Sequence, residues 1–274
     1  MRAFRVAYDG TRFRGFQRQP HGDTVEDALF RALDRLDIDT PPEGYAAAGR
    51  TDAGVSATHQ TVAFDAPDWL TPRALNSELP ASVRSWAHAD APAGFHATHD
   101  ARERRYAYHL YAPEGETPPG ASAPISELRL RDAAQVLGGR HDFHNLTPDE
   151  DGTDRHLRLR VDREGPFLVV RFRAGGFPRE FVRRAVTLLR AVGAGDRDLA
   201  FVERVCSDER LQGPDGIAPA PPGPLLLTSV AYRLDWTVDE QAAASRRAVF
   251  AARRADRLAG ARVAGALAEG VPTR

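Results

Sequence analysis

Apolar and polar residues alternate with strand period over residues 2–8, Arg-Ala-Phe-Arg-Val-Ala-Tyr. Asp23 and Thr24 can then cap a helix over about 25–36. Gln60–Asp65 and Arg84–His88 read as strands, with a short helix near Thr71–Leu79 between them. Arg104–Tyr111 alternates most strongly and puts Tyr106, Tyr108 and Leu110 on one face. A similar order follows: a helix near 131–137, strands near 156–162 and 167–173, an amphipathic helix over 179–192, another helix over 198–207, and a strand Leu225–Leu234.

Two Pro/Gly-rich stretches, Ala112–Pro124 and Gly213–Pro224, interrupt this pattern and read as a connector and a long loop. The expected organisation is an N-terminal half over 1–112, a connector over 113–124, a C-terminal half over 125–236 and an Ala/Arg-rich helical tail over 237–274, read as a solvated helix. The fold class that follows is α+β. Two similar β/α, ferredoxin-like halves form a mixed, mainly antiparallel sheet with a central cleft, an architecture that suits RNA binding.

Composition narrows the chemistry. The chain has 274 residues and 37 basic side chains, none of them lysine. Schiff-base, pyridoxal, phosphate-loop and kinase-strand lysines are therefore excluded. Cationic contacts fall to guanidinium groups, which stay charged, bond in a planar fork and stack on bases. Hydrophobic content of 42% with 27% charged residues is that of an ordinary globular protein. The single cysteine, Cys206, excludes an intramolecular disulfide, and the apolar runs fall short of the roughly 18 residues of a membrane span. The N-terminus lacks a signal-peptide apolar region. The expected location is the cytoplasm, with no membrane partner.

A net charge of −1 argues against a nucleic-acid partner until it is divided along the chain. Residues 1–18 hold five arginines against Asp9, and residues 155–190 hold ten against Asp162, Glu164 and Glu180. Residues 246–262 add six more against Asp256. The balancing acids concentrate elsewhere, seven of them between residues 21 and 45. Segregation of this kind presents basic faces to phosphates on a neutral protein, although solvated helix and strand faces look the same.

The segment Gly49–His59, GRTDAGVSATH, puts a glycine, an arginine, a hydroxyl, a carboxylate and a second glycine within six residues. Asp and Thr in such loops commonly bond their own turn backbone. The spacing, however, resembles the GRTDAGV-H-A motif of the tRNA pseudouridine synthase A family. Four further segments resemble that family in order: YDGTRFRGFQRQ from Tyr8, FHA followed by RRYAY between Phe95 and Tyr108, His141-Asp142-Phe143, and GFPREFVRR from Gly176. Ser56, Phe16, Pro178, Glu180 and His144 depart from the usual pattern.

The resemblance implies conversion of uridine to pseudouridine in the anticodon stem-loop of tRNA, at positions 38–40, by a homodimer without cofactor. It makes Asp52 the essential carboxylate, acting at the anomeric carbon by attack or by assisting glycal formation. A carboxylate that must stay charged beneath bound RNA needs a permanent cation beside it. The resemblance selects Arg183 for that role, which helical periodicity does not distinguish from Arg184. Tyr106 is implied as the pocket tyrosine that stacks on uracil and serves proton transfer at C5, where alternation alone makes it a core residue. Arg50 is implied to fill the gap left by a flipped nucleotide, against the simpler reading of a phosphate contact.

His96-x-x-His99 and His141-Asp142-x-His144 carry ligand-type side chains, but no cysteine or third clustered histidine completes a zinc set, so no metal is expected. Cys206 reads as a small apolar helix residue. The substitutions at Ser56 and before the 179–192 helix motivate an alternative, a non-catalytic RNA-binding or tRNA-chaperone protein of the same fold. A nucleoside-cleaving glycosidase is a third reading.

Overall fold

The computed structural model describes residues 1–269. Strand β1 (Arg2–Tyr8) leads into helix α1 (Val25–Asp34), where Thr24 and Asp27 form a reciprocal capping box. A short strand β2 (Ala46–Ala47), strand β3 (Ser56–Phe64), helix α2 (Pro72–Glu78) capped by Thr71, and strand β4 (Val83–Asp90) follow. Strand β5 (Glu103–Tyr111) precedes helix α3 (Glu127–Leu137), which starts earlier than its apolar periodicity because the Ser126 hydroxyl caps it. Next come β6 (Gly139–Asp142), β7 (Asp154–Glu164), β8 (Phe167–Ala174), α4 (Phe181–Ala194) and α5 (Leu199–Val205). Strands β9 (Leu225–Ala231) and β10 (Thr237–Val238) and helix α6 (Glu240–Glu269) complete the described chain.

The fold is α+β. All ten strands join one mixed, mainly antiparallel sheet in the order β10-β4-β1-β3-β9-β5-β8-β7-β6, with β2 paired to β3. The one parallel pair is β3 with β9, and it is short: Ser56 faces Leu226 and Ala57 faces Leu227. This join is the seam of the sheet. Strand β5, contiguous in sequence with residues 1–112, hydrogen-bonds to β8 and β9 and so lies beyond the seam. Strand β10 instead returns to β4. Two hydrophobic cores flank the seam, and Tyr106 packs against both.

Tertiary placement changes the meaning of the charge sums. Arg5 is buried, donates to Thr61 Oγ1 at 2.8 Å and lies 4.0 Å from the Trp236 ring centroid. Arg2 pairs with Asp90. On β7 and β8, Arg160 and Arg171 share Asp162, Arg171 also reaches Glu164, and Arg173 pairs with Glu103 of β5. Part of the basic excess is thus matched locally: Arg2, Arg171 and Arg173 meet acids on neighbouring strands and Arg160 meets one on its own strand.

Helix α6 packs along β4 through buried Ala242 and Ala243, and residues 254–268 are exposed. The solvated helix expected over 237–274 therefore has a packed first half, and residues 270–274 lie outside the described chain. Arg253 and Arg257 reach Asp9 Oδ2 at 2.5 and 2.7 Å. Burial alone would raise the Asp9 carboxyl, but bonds from Thr11, Arg257 and Arg253 outweigh it and bring its pKa from 3.8 to about 2. A value depressed on folding stabilises the protein above about pH 4, by about 2 kcal/mol, and that gain fades as pH falls through 2. Unfolding free energies of the wild type and Asp9→Asn should differ by a constant margin above pH 4 and converge toward pH 2. A margin that does not change with pH over that interval would exclude the linkage.

Candidate active site

The loop from Gly49 to Val55 joins β2 to β3 and is tied down by main-chain and side-chain hydrogen bonds. Gln60 Nε2 donates to Gly49 O at 2.8 Å, and the buried Tyr8 hydroxyl lies 2.7 Å from Thr51 Oγ1. The Phe16 amide donates to Thr51 O, the Gly54 amide to Phe13 O, and the Val55 amide closes a turn on Asp52 O at 3.1 Å. Gly10 lies so close that a Cβ there would sit 1.9 Å from Val55 O, and its amide donates to Ser56 Oγ at 3.0 Å. Ser56, a departure from the family pattern, thus locks the N-terminal segment to this loop. Thr51 is buried and Val55 inserts into the core that holds Tyr108, Phe172 and Phe181, so Asp52 is held between two anchored neighbours.

Arg183 approaches from α4 across the seam. Its Nη1 donates to Asp52 Oδ2 at 3.0 Å and its Nε to Ala220 O at 2.7 Å. The Ala220 amide returns a bond to Arg183 O at 3.1 Å. The Pro-rich loop over 213–224 is therefore ordered against the first turn of α4 and fixes the guanidinium. Arg184 turns away to Glu180 and Ile217 O. Glu180, before the first turn of α4, adopts φ 59°, a left-handed conformation unusual for a side chain of its kind. Helical period left Arg183 and Arg184 equivalent; the bond to Asp52 separates them.

Tyr106 of β5 meets Phe177 edge to face, with ring centroids 5.3 Å apart. Burial pushes its hydroxyl up to about 12; the Arg104 charge opposes this shift and the Asp52 charge reinforces it. At neutral pH Tyr106 is a neutral phenol that can donate its proton or accept a hydrogen bond. Arg50 is exposed near the mouth. Arg50, Asp52, Tyr106 and Arg183 all line one open cleft of about 1970 Å³, with Phe177 beside them. That volume exceeds the roughly 300–1,000 Å³ of small-molecule pockets and suits a segment of polymer.

Other candidate groups are placed as follows. The rings of His96 and His99 lie 4.3 Å apart, tilted by 35°, on the same cleft wall. His141 bonds Gly138 O and His144 bonds Glu209 O, so their rings serve main-chain contacts. Cys206 caps α5, and burial raises its thiol to about 11. Among the described residues no helix is long and apolar enough to cross a membrane. Sequence reasoning missed Arg104 and Phe177. Arg104 lies in the RRYAY segment and bonds carbonyls behind the cleft, and Phe177 lies in GFPREF on its wall; apolar periodicity signals neither.

Residues 133–233 match the family model described as tRNA pseudouridine synthase. Over nearly the whole chain the similarity is closer. A tRNA pseudouridine synthase A of Natronomonas pharaonis is 62% identical over 271 residues, covering 97% of this chain and 98% of the relative. That of Haloarcula marismortui is 54% identical over 276 residues, covering 99% of this chain and 100% of the relative. A Methanosarcina acetivorans relative of the same name is 38% identical and covers 87% of each chain. With this identity sustained along both sides of the seam, the chain belongs to the tRNA pseudouridine synthase A family.

Proposed function

We propose that this protein isomerises uridine to pseudouridine in the anticodon region of tRNA, at positions 38–40, with Asp52 as the essential carboxylate. The observation that carries the reading is the Asp52–Arg183 pair at 3.0 Å in a cleft walled by Tyr106. The reaction breaks the bond from N1 of uracil to the anomeric carbon and forms one from C5 to that carbon. The proton leaving C5 balances the one gained at N1, so no oxidant or cofactor enters. Attack on the anomeric carbon and removal of the 2′ proton both call for an ionised carboxylate beside the sugar. Arg183 sets a permanent positive charge 3.0 Å from the Asp52 carboxylate, where bound RNA displaces water. The detached base must turn over without escaping, which the aromatic wall of Tyr106 and Phe177 serves, and the Tyr106 hydroxyl handles the C5 proton. Arg50, at the mouth, occupies the gap left by the extruded nucleotide.

The same reading treats the strands on either side of the β3–β9 seam as two ferredoxin-like halves enclosing a central cleft, joined by the 113–124 connector. It places the protein in the cytoplasm as a homodimer that binds tRNA. The test uses tRNA with tritium at C5 of uracil, mixed with excess wild-type protein. Release of tritium with pseudouridine at positions 38–40 is the expected result. A pure RNA-binding protein releases none at any excess, and a glycosidase yields free uracil; either outcome overturns the reading.

A further inference from the structure

Beyond the residues already assigned, we propose that Arg104 is a positioning residue that clasps three separate segments of the cleft to one another. The inference rests on the activity proposed above and adds a part that this reading does not assign. All four hydrogen bonds of the Arg104 side chain go to main-chain carbonyls. Nε and Nη2 both donate to Ala48 O, at 3.1 and 2.6 Å. Nη2 also donates to Thr98 O at 2.8 Å, and Nη1 donates to Gly175 O at 2.6 Å.

Each carbonyl belongs to a segment that bears on the cleft. Ala48 immediately precedes the Gly49–Val55 loop and Asp52. Thr98 lies between His96 and His99, whose rings line the cleft. Gly175 leads to Phe177 and to the first turn of α4, where Arg183 sits. Arg104 itself stands two residues before Tyr106, on the same face of β5. One guanidinium thus sets the carboxylate wall, the histidine rim and the aromatic wall relative to the tyrosine strand. The segments come from both sides of the seam, where the β3–β9 pairing spans only two residue pairs, so sheet hydrogen bonding alone holds them weakly.

The fork geometry makes the residue type specific. Guanidinium donors point in fixed, coplanar directions, whereas one ammonium cannot reach three carbonyls along those lines. Displacement of reacting groups by about 1 Å costs on the order of 10²-fold in rate. Arg105 provides the internal comparison, because it faces the other way, pairs with Glu103 at 2.6 Å and is half exposed.

The experiment compares Arg104→Met, Arg104→Lys and Arg105→Gln with the wild type. Readouts are the single-turnover rate, tRNA affinity, and amide hydrogen exchange of RNA-free protein over residues 48–54, 96–100 and 175–181. Arg104→Met should lower the rate roughly 100-fold, leave tRNA affinity within about threefold, and speed exchange in all three segments. Arg104→Lys should fall between the two, and it keeps the test valid if the methionine variant does not fold. Arg105→Gln should match the wild type. Wild-type rate in Arg104→Met, loss confined to tRNA affinity, or unchanged exchange in the three segments overturns the clasp. A wild type that makes no pseudouridine overturns the activity reading instead, and the exchange result still decides the clasp.

Discussion

Asp52→Asn forms no detectable pseudouridine even at large enzyme excess, while its affinity for tRNA stays within a few-fold of wild type. The substitution preserves shape and leaves the backbone turn from the Val55 amide to Asp52 O intact, so the loop keeps its path. What it removes is the negative charge that the proposed mechanism sets against the anomeric carbon. Loss of a residue that bonds with substrate or directly supports the reacting centre costs on the order of 10⁴-fold or more. That corresponds to about 5.5 kcal/mol of transition-state stabilisation. Affinity changes little because phosphate contacts dominate RNA binding. Tritium release in single turnover and filter binding at fixed salt measure the two quantities. Full turnover by Asp52→Asn would remove Asp52 from the mechanism.

Arg183→Met is expected to lower kcat by about 10²–10³-fold, the range found when one preorganised electrostatic donor is lost. The guanidinium is only 14% exposed and the carboxylate 31%, so the pair sits at the cleft wall and not deep in a core. Its contribution to stability is correspondingly modest, and the melting temperature should move little. The loss falls on the rate because methionine leaves Asp52 without its cation and empties the bond to Ala220 O at 2.7 Å. Arg183→Lys keeps the charge but cannot satisfy both Asp52 and Ala220 in the same planar geometry, and an intermediate loss, roughly tenfold, is expected. Steady-state kinetics with unmodified tRNA separate kcat from KM. A kcat for Arg183→Met equal to wild type would show that Asp52 needs no partner.

The two substitutions probe parts of the site that differed in how readable they were. Asp52 was marked by a local motif, because a turn of glycines, a hydroxyl and a carboxylate is built from neighbours in the chain. Arg183 was not: residues 183 and 184 are both arginines on one amphipathic helix, both bond carbonyls of the same loop, and only the tertiary fold brings Asp52 to Arg183. Tyr106 lay between these cases. Alternation put it on the apolar face of β5 with Tyr108 and Leu110, yet it is the member of that face that reaches the seam and so lines the cleft. Arg104 carried no signal, since its partners are backbone carbonyls of residues that the pattern leaves blank.

The longer elements were legible because their stabilising contacts follow chain periodicity. Strands β1, β5, β7 and β8 and helices α1 and α4 each bury a face that recurs every two or about 3.6 residues. Strands β2 and β10 have two residues each, too few for any period, and form because β3 and β4 offer them unpaired edges. Charge sums along the chain likewise cannot show which arginines are matched by acids. Arg5, Arg171 and Arg173 meet partners on other strands, which a linear count cannot place.

Local sequence therefore determined the strand and helix inventory, the α+β class, the Asp52 loop and the exclusion of lysine chemistry, all properties of neighbouring residues. Tertiary structure decided that β5 lies beyond the seam, that α6 clamps Asp9, and that Asp52, Tyr106 and Arg183 share one cleft. The physical reason is the β3–β9 join. Two parallel residue pairs bring segments more than 160 residues apart into one sheet, and no periodicity along a chain encodes which distant edges will meet.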